Sequence, residues 1–168
     1  AYAKINLFLD VHNKTKDNMH NLESLVCFID LYDEIKIKKS KNFSIKIQGP
    51  FKNNLKNKEN IIKKTFVIYS KFLNLKTRYK IHLKKNIPVS AGLGGGSADA
   101  AVILKGLNYF NNNKLDKKTL LKLAMEIGSD VPICLNRKNA FFSGYGDILK
   151  NAPKIPSFFI LLINPNKE

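Results

Sequence analysis

Pro88-Val89-Ser90-Ala91-Gly92-Leu93-Gly94-Gly95-Gly96-Ser97-Ala98-Asp99-Ala100-Ala101 decides how the rest of the chain is read. Four glycines and a proline fall within the nine positions from Pro88 to Gly96. The alternating run Tyr79-Lys80-Ile81-His82-Leu83 precedes it and predicts a strand. Ala100, Ile103, Leu104, Leu107 and Phe110 follow at helical spacing. Strand, glycine loop and helix start together aim backbone N–H groups at an anion. Glycine lets that backbone adopt positive φ and approach closely, and a helix N-terminus adds roughly half a positive charge. The phosphate-loop pattern G-x-x-x-x-G-K-[ST] does not fit, because no lysine follows a glycine. The dinucleotide pattern G-x-G-x-x-G does not fit either, because Ser97 stands where its third glycine belongs. Glycine count alone leaves a tight turn and a phosphate cradle both open. Ser97 and Asp99 suit the first turn of a helix and favour the cradle.

Two further segments stand in a fixed order around this loop: Ala3-Lys4-Ile5-Asn6-Leu7-Phe8-Leu9 near the start, and Gly128-Ser129-Asp130-Val131-Pro132 after it. All three motifs together resemble the GHMP kinase superfamily, and within it the 4-diphosphocytidyl-2-C-methyl-D-erythritol kinases. The resemblance runs over the whole chain. It implies an α+β fold, a mixed sheet with helices packed on it, like domain 2 of ribosomal protein S5. It also implies a further, ferredoxin-like C-terminal domain, with residues 1–152 forming the nucleotide-binding domain and 153–168 the start of the next. Both ends of the chain look cut, the first within a strand pattern and the second just after an apolar run.

Composition is compatible with that reading without requiring it. The chain has 168 residues, 44% of them hydrophobic, enough for a real core. Lys and Arg outnumber Asp and Glu 29 to 13, a net charge of +16. Such a balance favours anionic partners. Most of the cations are lysines scattered among asparagines, however, and read as a wet surface. No RRM- or KH-type pairing of basic and aromatic residues is present, so an RNA-binding module is the weaker alternative. Cys27 and Cys134 lie in apolar runs and read as buried thiols, and no metal-ligand spacing exists. No apolar run is long enough to span a bilayer. The cytoplasm is the expected compartment.

Ala3, Ile5, Leu7 and Leu9 alternate with Lys4, Asn6, Phe8 and Asp10, which predicts a half-buried strand with Lys4 and Asn6 on one face. On pattern alone that face is merely solvated. The resemblance instead gives Lys4 a catalytic role and turns Asn6 towards the acceptor substrate. His20 reads as a solvated loop residue. By resemblance it belongs to a Gly-Tyr-His segment that holds a cytosine ring, although Asn18-Met19 stand here for the first two residues.

The run from Leu25 to Ile37 predicts one or two strands broken near Tyr32-Asp33-Glu34, and Phe43 to Ile47 another. Asn60 to Leu73 predicts a helix. Lys84 and Lys85 are exposed by default, while the resemblance puts a basic residue here near the nucleotide. Asp116 caps a second helix that Gly128 stops. Asp130 alone reads as a cap for the following turn; the resemblance makes it the catalytic aspartate. Ala140 to Ser143 predicts a strand, Gly144-Tyr145-Gly146-Asp147 a hairpin turn, and Phe158 to Ile163 a buried strand.

The resemblance implies transfer of the ATP γ-phosphate to the 2-hydroxyl of 4-diphosphocytidyl-2-C-methyl-D-erythritol, a step of non-mevalonate isoprenoid synthesis. Lys4 and Asp130 would be catalytic. Pro88, Val89, Ser90, Ala91, Gly92, Leu93, Gly94, Gly95, Gly96, Ser97 and Ala98 would bind ATP. Asn6 and His20 would bind the acceptor, and Mg²⁺ is expected near Ser97. The partner is a small cytidylyl molecule, with no nucleic acid or membrane, and the protein is a monomer or weak homodimer. Another GHMP small-molecule kinase is the alternative.

Overall fold

A computed structural model gives the fold, and it describes residues 1–14, 20–55, 60–144 and 148–164. The chain opens with a long hairpin, β1 (Tyr2–Lys14) and β2 (His20–Tyr32), paired antiparallel. β6 (Ala140–Gly144) returns to pair with β2, and β7 (Ile148–Asn151) pairs with β6. The resulting sheet is antiparallel throughout, in the order β1-β2-β6-β7.

Asp33 interrupts the run after β2, and β3 (Glu34–Ser40) leaves for a second sheet. There β5 (Arg78–Lys84) lies between β3 and β4 (Ser44–Gln48), antiparallel to the first and parallel to the second. Parallel neighbours need a crossover, and α1 (Ile61–Phe72) lies in it. The side chains of this sheet keep a period of two, broken only where Lys38 and Lys39 are both exposed near the end of β3. Ile35, Ile37, Ile45, Ile47, Tyr79, Ile81 and Leu83 face the helices. Lys36, Lys38, Lys46, Lys80, His82 and Lys84 face outward, all exposed.

Asn60 starts α1 by accepting from the amides of Ile62 (3.0 Å) and Lys63 (3.4 Å) through Oδ1. α2 (Gly95–Phe110) buries Ala98, Ala100, Ala101, Ile103, Leu104 and Leu107. It lies so near β3 that a Cβ on Gly106 would fall 2.7 Å from Ile37 Cδ1. Asp116 caps α3 (Lys117–Ile127) by accepting from the Thr119 amide at 2.8 Å, and Gly128 follows the helix. The short α4 (Val131–Asn136) buries its first five residues beside α2. All four helices and the second sheet share one core.

The α+β class holds, with strands divided between two sheets and the mixed pairing confined to the second. Two expectations fail. Leu7, Leu9 and Val11 are exposed, at 40%, 52% and 54%. The register shifts between Asn6 and Phe8, breaking the alternation. Phe158 to Ile163 is not a buried strand: it joins neither sheet, and Phe159, Leu161 and Ile163 are almost wholly exposed. Apolar composition buries a strand only where another element covers it. Among the described residues, no helix is long and apolar enough to cross a membrane.

Candidate active site

The glycine loop takes the form its residues require. Ser90, Gly92 and Gly94 have positive φ (59°, 73° and 64°). Gly94 is the N-cap of α2 in the left-handed region, and no side chain caps that end. The first amides of an α-helix have no partner within it, so these are available to an anion. A cleft of about 320 Å³ lies over them. Its walls include every residue from 88 to 97, with Asn60, Ile61 and Ile62 at the start of α1. Two helix N-termini therefore converge on one space, and both favour negative charge. Ala98 is excluded from the walls: it is buried, and its amide donates to the Gly94 carbonyl at 2.9 Å.

Lys4 joins this loop to the first sheet. Its amide donates to the Leu93 carbonyl at 2.9 Å. Its side-chain stem lies against Gly94, where an added Cβ would be 2.8 Å from Lys4 Cγ. Its ammonium is 3.3 Å from Asp130 Oδ2 and donates to Asn6 Oδ1 at 2.7 Å. Asn6 Nδ2 in turn donates to Ser24 Oγ (2.7 Å), and that buried hydroxyl donates to the Phe8 carbonyl (2.6 Å). Asp130 precedes α4 without capping it by side chain. Thus the capping alternative fails and the carboxylate turns to Lys4. With the Asp130 side chain 39% exposed, such a pair contributes at most about 1 kcal/mol to stability. Stability is a weak reason for the arrangement; access to a reacting group is a better one.

Lys84 and Lys85 part company. Lys84 is exposed and paired with Glu34 at 2.8 Å. Lys85 is buried, contrary to its reading as exposed, and pairs with Asp33 and with Asp99 Oδ2 (2.9 Å). Asp99 sits where the sequence places it, early in α2, but as a buried ion-pair partner. Burial, reinforced by the charge of Asp33 and opposed by Lys85, pushes its carboxyl up to about 7. Cys27 and Cys134 are free and buried, and burial raises both thiols, that of Cys134 to about 12.

The backbone of His20 pairs with Lys14 in the first hairpin; its side chain, together with Asn18 and Met19, lies outside the described residues. So do Tyr145, Gly146 and Asp147, although the strands on either side pair antiparallel. Ser97 lines the cleft. Among the described residues no group of three or more metal-ligating side chains exists. Sequence reading missed Ser24 and Asp33. The signal for Asp33 was a carboxylate interrupting two apolar strands; Ser24 gave none.

Residues 60–138, from the start of α1 through the loop to the end of α4, match the family described as GHMP kinases N terminal domain. Across that stretch the chain resembles a GHMP kinase N-terminal domain. Over 98% of its length the chain is 37% identical to the 4-diphosphocytidyl-2-C-methyl-D-erythritol kinase of Paramagnetospirillum magneticum and 39% identical to that of Caldicellulosiruptor saccharolyticus. It covers 58% and 57% of those proteins, so it spans less than two thirds of the curated relatives it matches. A crystal structure of 4-(cytidine 5'-diphospho)-2C-methyl-D-erythritol kinase superposes with a TM-score of 0.75 at 33% identity, over 90% of this chain and 53% of that one. Mevalonate kinase of Methanococcus jannaschii shares the fold, with a TM-score of 0.63 at 17% identity, over 91% and 54%. The fold holds the glycine loop, Lys4 and Asp130 in one neighbourhood.

Proposed function

We propose that the full-length protein transfers the γ-phosphate of ATP to the 2-hydroxyl of 4-diphosphocytidyl-2-C-methyl-D-erythritol, in the cytoplasm, as a step towards isoprenoid precursors. The observation that carries this is the 3.3 Å approach of Lys4 Nζ to Asp130 Oδ2 beside the glycine loop. The names of the similar kinases supply the acceptor. Residues 1–152 form the nucleotide-binding part, and 153–168 begin the next domain.

ATP occupies the cleft, its phosphates on the free amides at the start of α2, with Ser97 beside them. Asp130 takes the proton of the acceptor hydroxyl as that oxygen forms its bond to Pγ. The bond from Pγ to the β,γ-bridging oxygen breaks, and ADP leaves. The Lys4 ammonium favours the ionised carboxylate and the negative charge on the attacking oxygen. Asn6, held by Ser24, fixes the lysine and faces the acceptor; His20 contacts its cytosine. Mg²⁺, when bound, would neutralise the charge of the ATP phosphates, and the Ser97 hydroxyl, which lines the cleft, would be its ligand from this chain.

The test is a phosphoryl-transfer assay on the full-length protein with ATP and a panel of acceptors: the cytidylyl compound, mevalonate and homoserine. Turnover of the cytidylyl compound alone is expected. Turnover of another acceptor in its place would move the protein to a different branch, and no ADP formation with any would overturn the reading.

A further inference from the structure

A buried ionic cluster lies directly beneath the glycine loop, and the phosphoryl-transfer chemistry does not use it. Lys85 Nζ pairs with Asp33 Oδ2 and, at 2.9 Å, with Asp99 Oδ2. All three side chains are at least 97% buried. Asp33 Oδ1 accepts from the amides of Asn86 (2.6 Å) and Ile87 (2.9 Å), the residues that lead into the loop. Asp99 Oδ1 is buried with no hydrogen-bond partner among the described residues. Two carboxylates thus share one ammonium away from water. An apolar cluster of similar volume often stabilises a fold as well or better, so stability does not account for this one.

Its position does. A Cβ on Gly95, the first residue of α2, would lie 3.0 Å from Lys85 Nζ and 2.9 Å from Ile87 Cγ2. The ammonium therefore abuts the backbone whose amides face the cleft. From the other side the Lys85 amide donates to the Gln48 carbonyl at 2.7 Å, which ties it to the end of β4. Asp33 comes from the junction of β2 and β3, Lys85 from the end of β5 and Asp99 from α2. Both sheets and the helix meet at one charge. Lys85 and Asp99 border the cleft, whereas Asp33 is absent from its walls.

We infer that Asp33, Lys85 and Asp99 form a positioning device that sets the pose of the glycine loop for the nucleotide phosphates. The inference rests on the reading of the cleft as the ATP site. Asp33 is absent from the cleft walls and acts only through Lys85 and the amides of residues 86 and 87. Replacing a carboxylate by its amide keeps the shape and removes the charge-assisted hydrogen bond, the stronger kind.

The experiment measures ATP affinity by calorimetry, and KM and kcat by turnover, for full-length wild type, Asp33→Asn and Asp99→Asn. For Asp33→Asn we expect the ATP Kd and KM to rise about tenfold with kcat within about twofold, the mark of lost binding common to ground and transition states. For Asp99→Asn, which keeps the Asp33–Lys85 pair, the expected rise is smaller, about threefold. Should Asp33→Asn fail to fold, Asp99→Asn decides. A purely structural cluster would lower the melting temperature while every folded variant kept its ATP KM. Normal wild-type binding with folded variants within about twofold of its Kd would overturn the inference alone. A wild type that binds no ATP would overturn the nucleotide-site reading and the inference with it.

Discussion

Lys4 Nζ and Asp130 Oδ2 stand 3.3 Å apart, brought from the first strand and from the start of the last helix to the same edge of the glycine loop. The lysine stem lies against Gly94 and its amide is tied to Leu93. Loop, cation and carboxylate are therefore joined by a chain of direct contacts.

Gly96 and Gly95 separate packing from phosphate approach. Gly96 is exposed and borders the cleft, and a Cβ there meets only Ile61 Cγ2, at 3.8 Å. Gly96→Ala is expected to fold and to gain about 0.5 kcal/mol in urea unfolding from the better helix former. It should nonetheless weaken ATP binding about tenfold, because the methyl stands over the amides that face the phosphate. ATP affinity within about twofold of wild type would show that no close approach occurs there. Gly95→Val would not make the same test, because Gly95 faces inward onto Ile87 and Lys85.

Asp99 makes stability depend on pH. Its carboxyl is held up at about 7, against an ordinary 3.8. The folded state thus binds the proton more tightly than the unfolded chain. That stabilisation is complete below the ordinary value and is lost as pH rises to about 7. The groups facing it are Lys85 and Asp33, with the amino group of Ala1 also interacting. Urea unfolding of wild type and Asp99→Asn at pH 5 and pH 8 checks the sign. Wild type should lose about 2 kcal/mol relative to the variant between them. A gain, or no change, would place the proton elsewhere.

Cys134 is buried, and its thiol is pushed up to about 12. The thiolate is the reactive form. A thiol reagent at pH 8 should leave this residue unlabelled in the native protein and label it on unfolding in urea, read by peptide mass. Rapid native labelling would mean that α4, and Asp130 with it, opens readily.

Local chemistry made much of this legible. Asn60 and Asp116 announced their helices, alternation placed β3, β4 and β5, and the glycines placed the turn into α2. Lys4 and Asn6 shared a face, as period two requires. What stayed hidden depended on partners far along the chain. A lysine before a proline reads as exposed, and only Asp33 and Asp99 together make burial of Lys85 tolerable. The exposed run from Phe158 to Ile163 shows the converse: apolar composition gives a side chain reason to be covered, but the cover has to come from another element.

The most direct measurement is single-turnover phosphoryl transfer by the full-length protein and its Asp130→Asn variant, with ATP affinity measured in parallel. A positioned general base contributes about 10²–10⁴-fold to rate. The variant should therefore fall by at least about a hundredfold while its ATP Kd stays within about twofold, because Asp130 lies beside the loop and outside the cleft walls. Transfer within about tenfold of wild type, a barrier change of only ~1.4 kcal/mol, would contradict the assignment of the base and with it the role given to the Lys4–Asp130 pair.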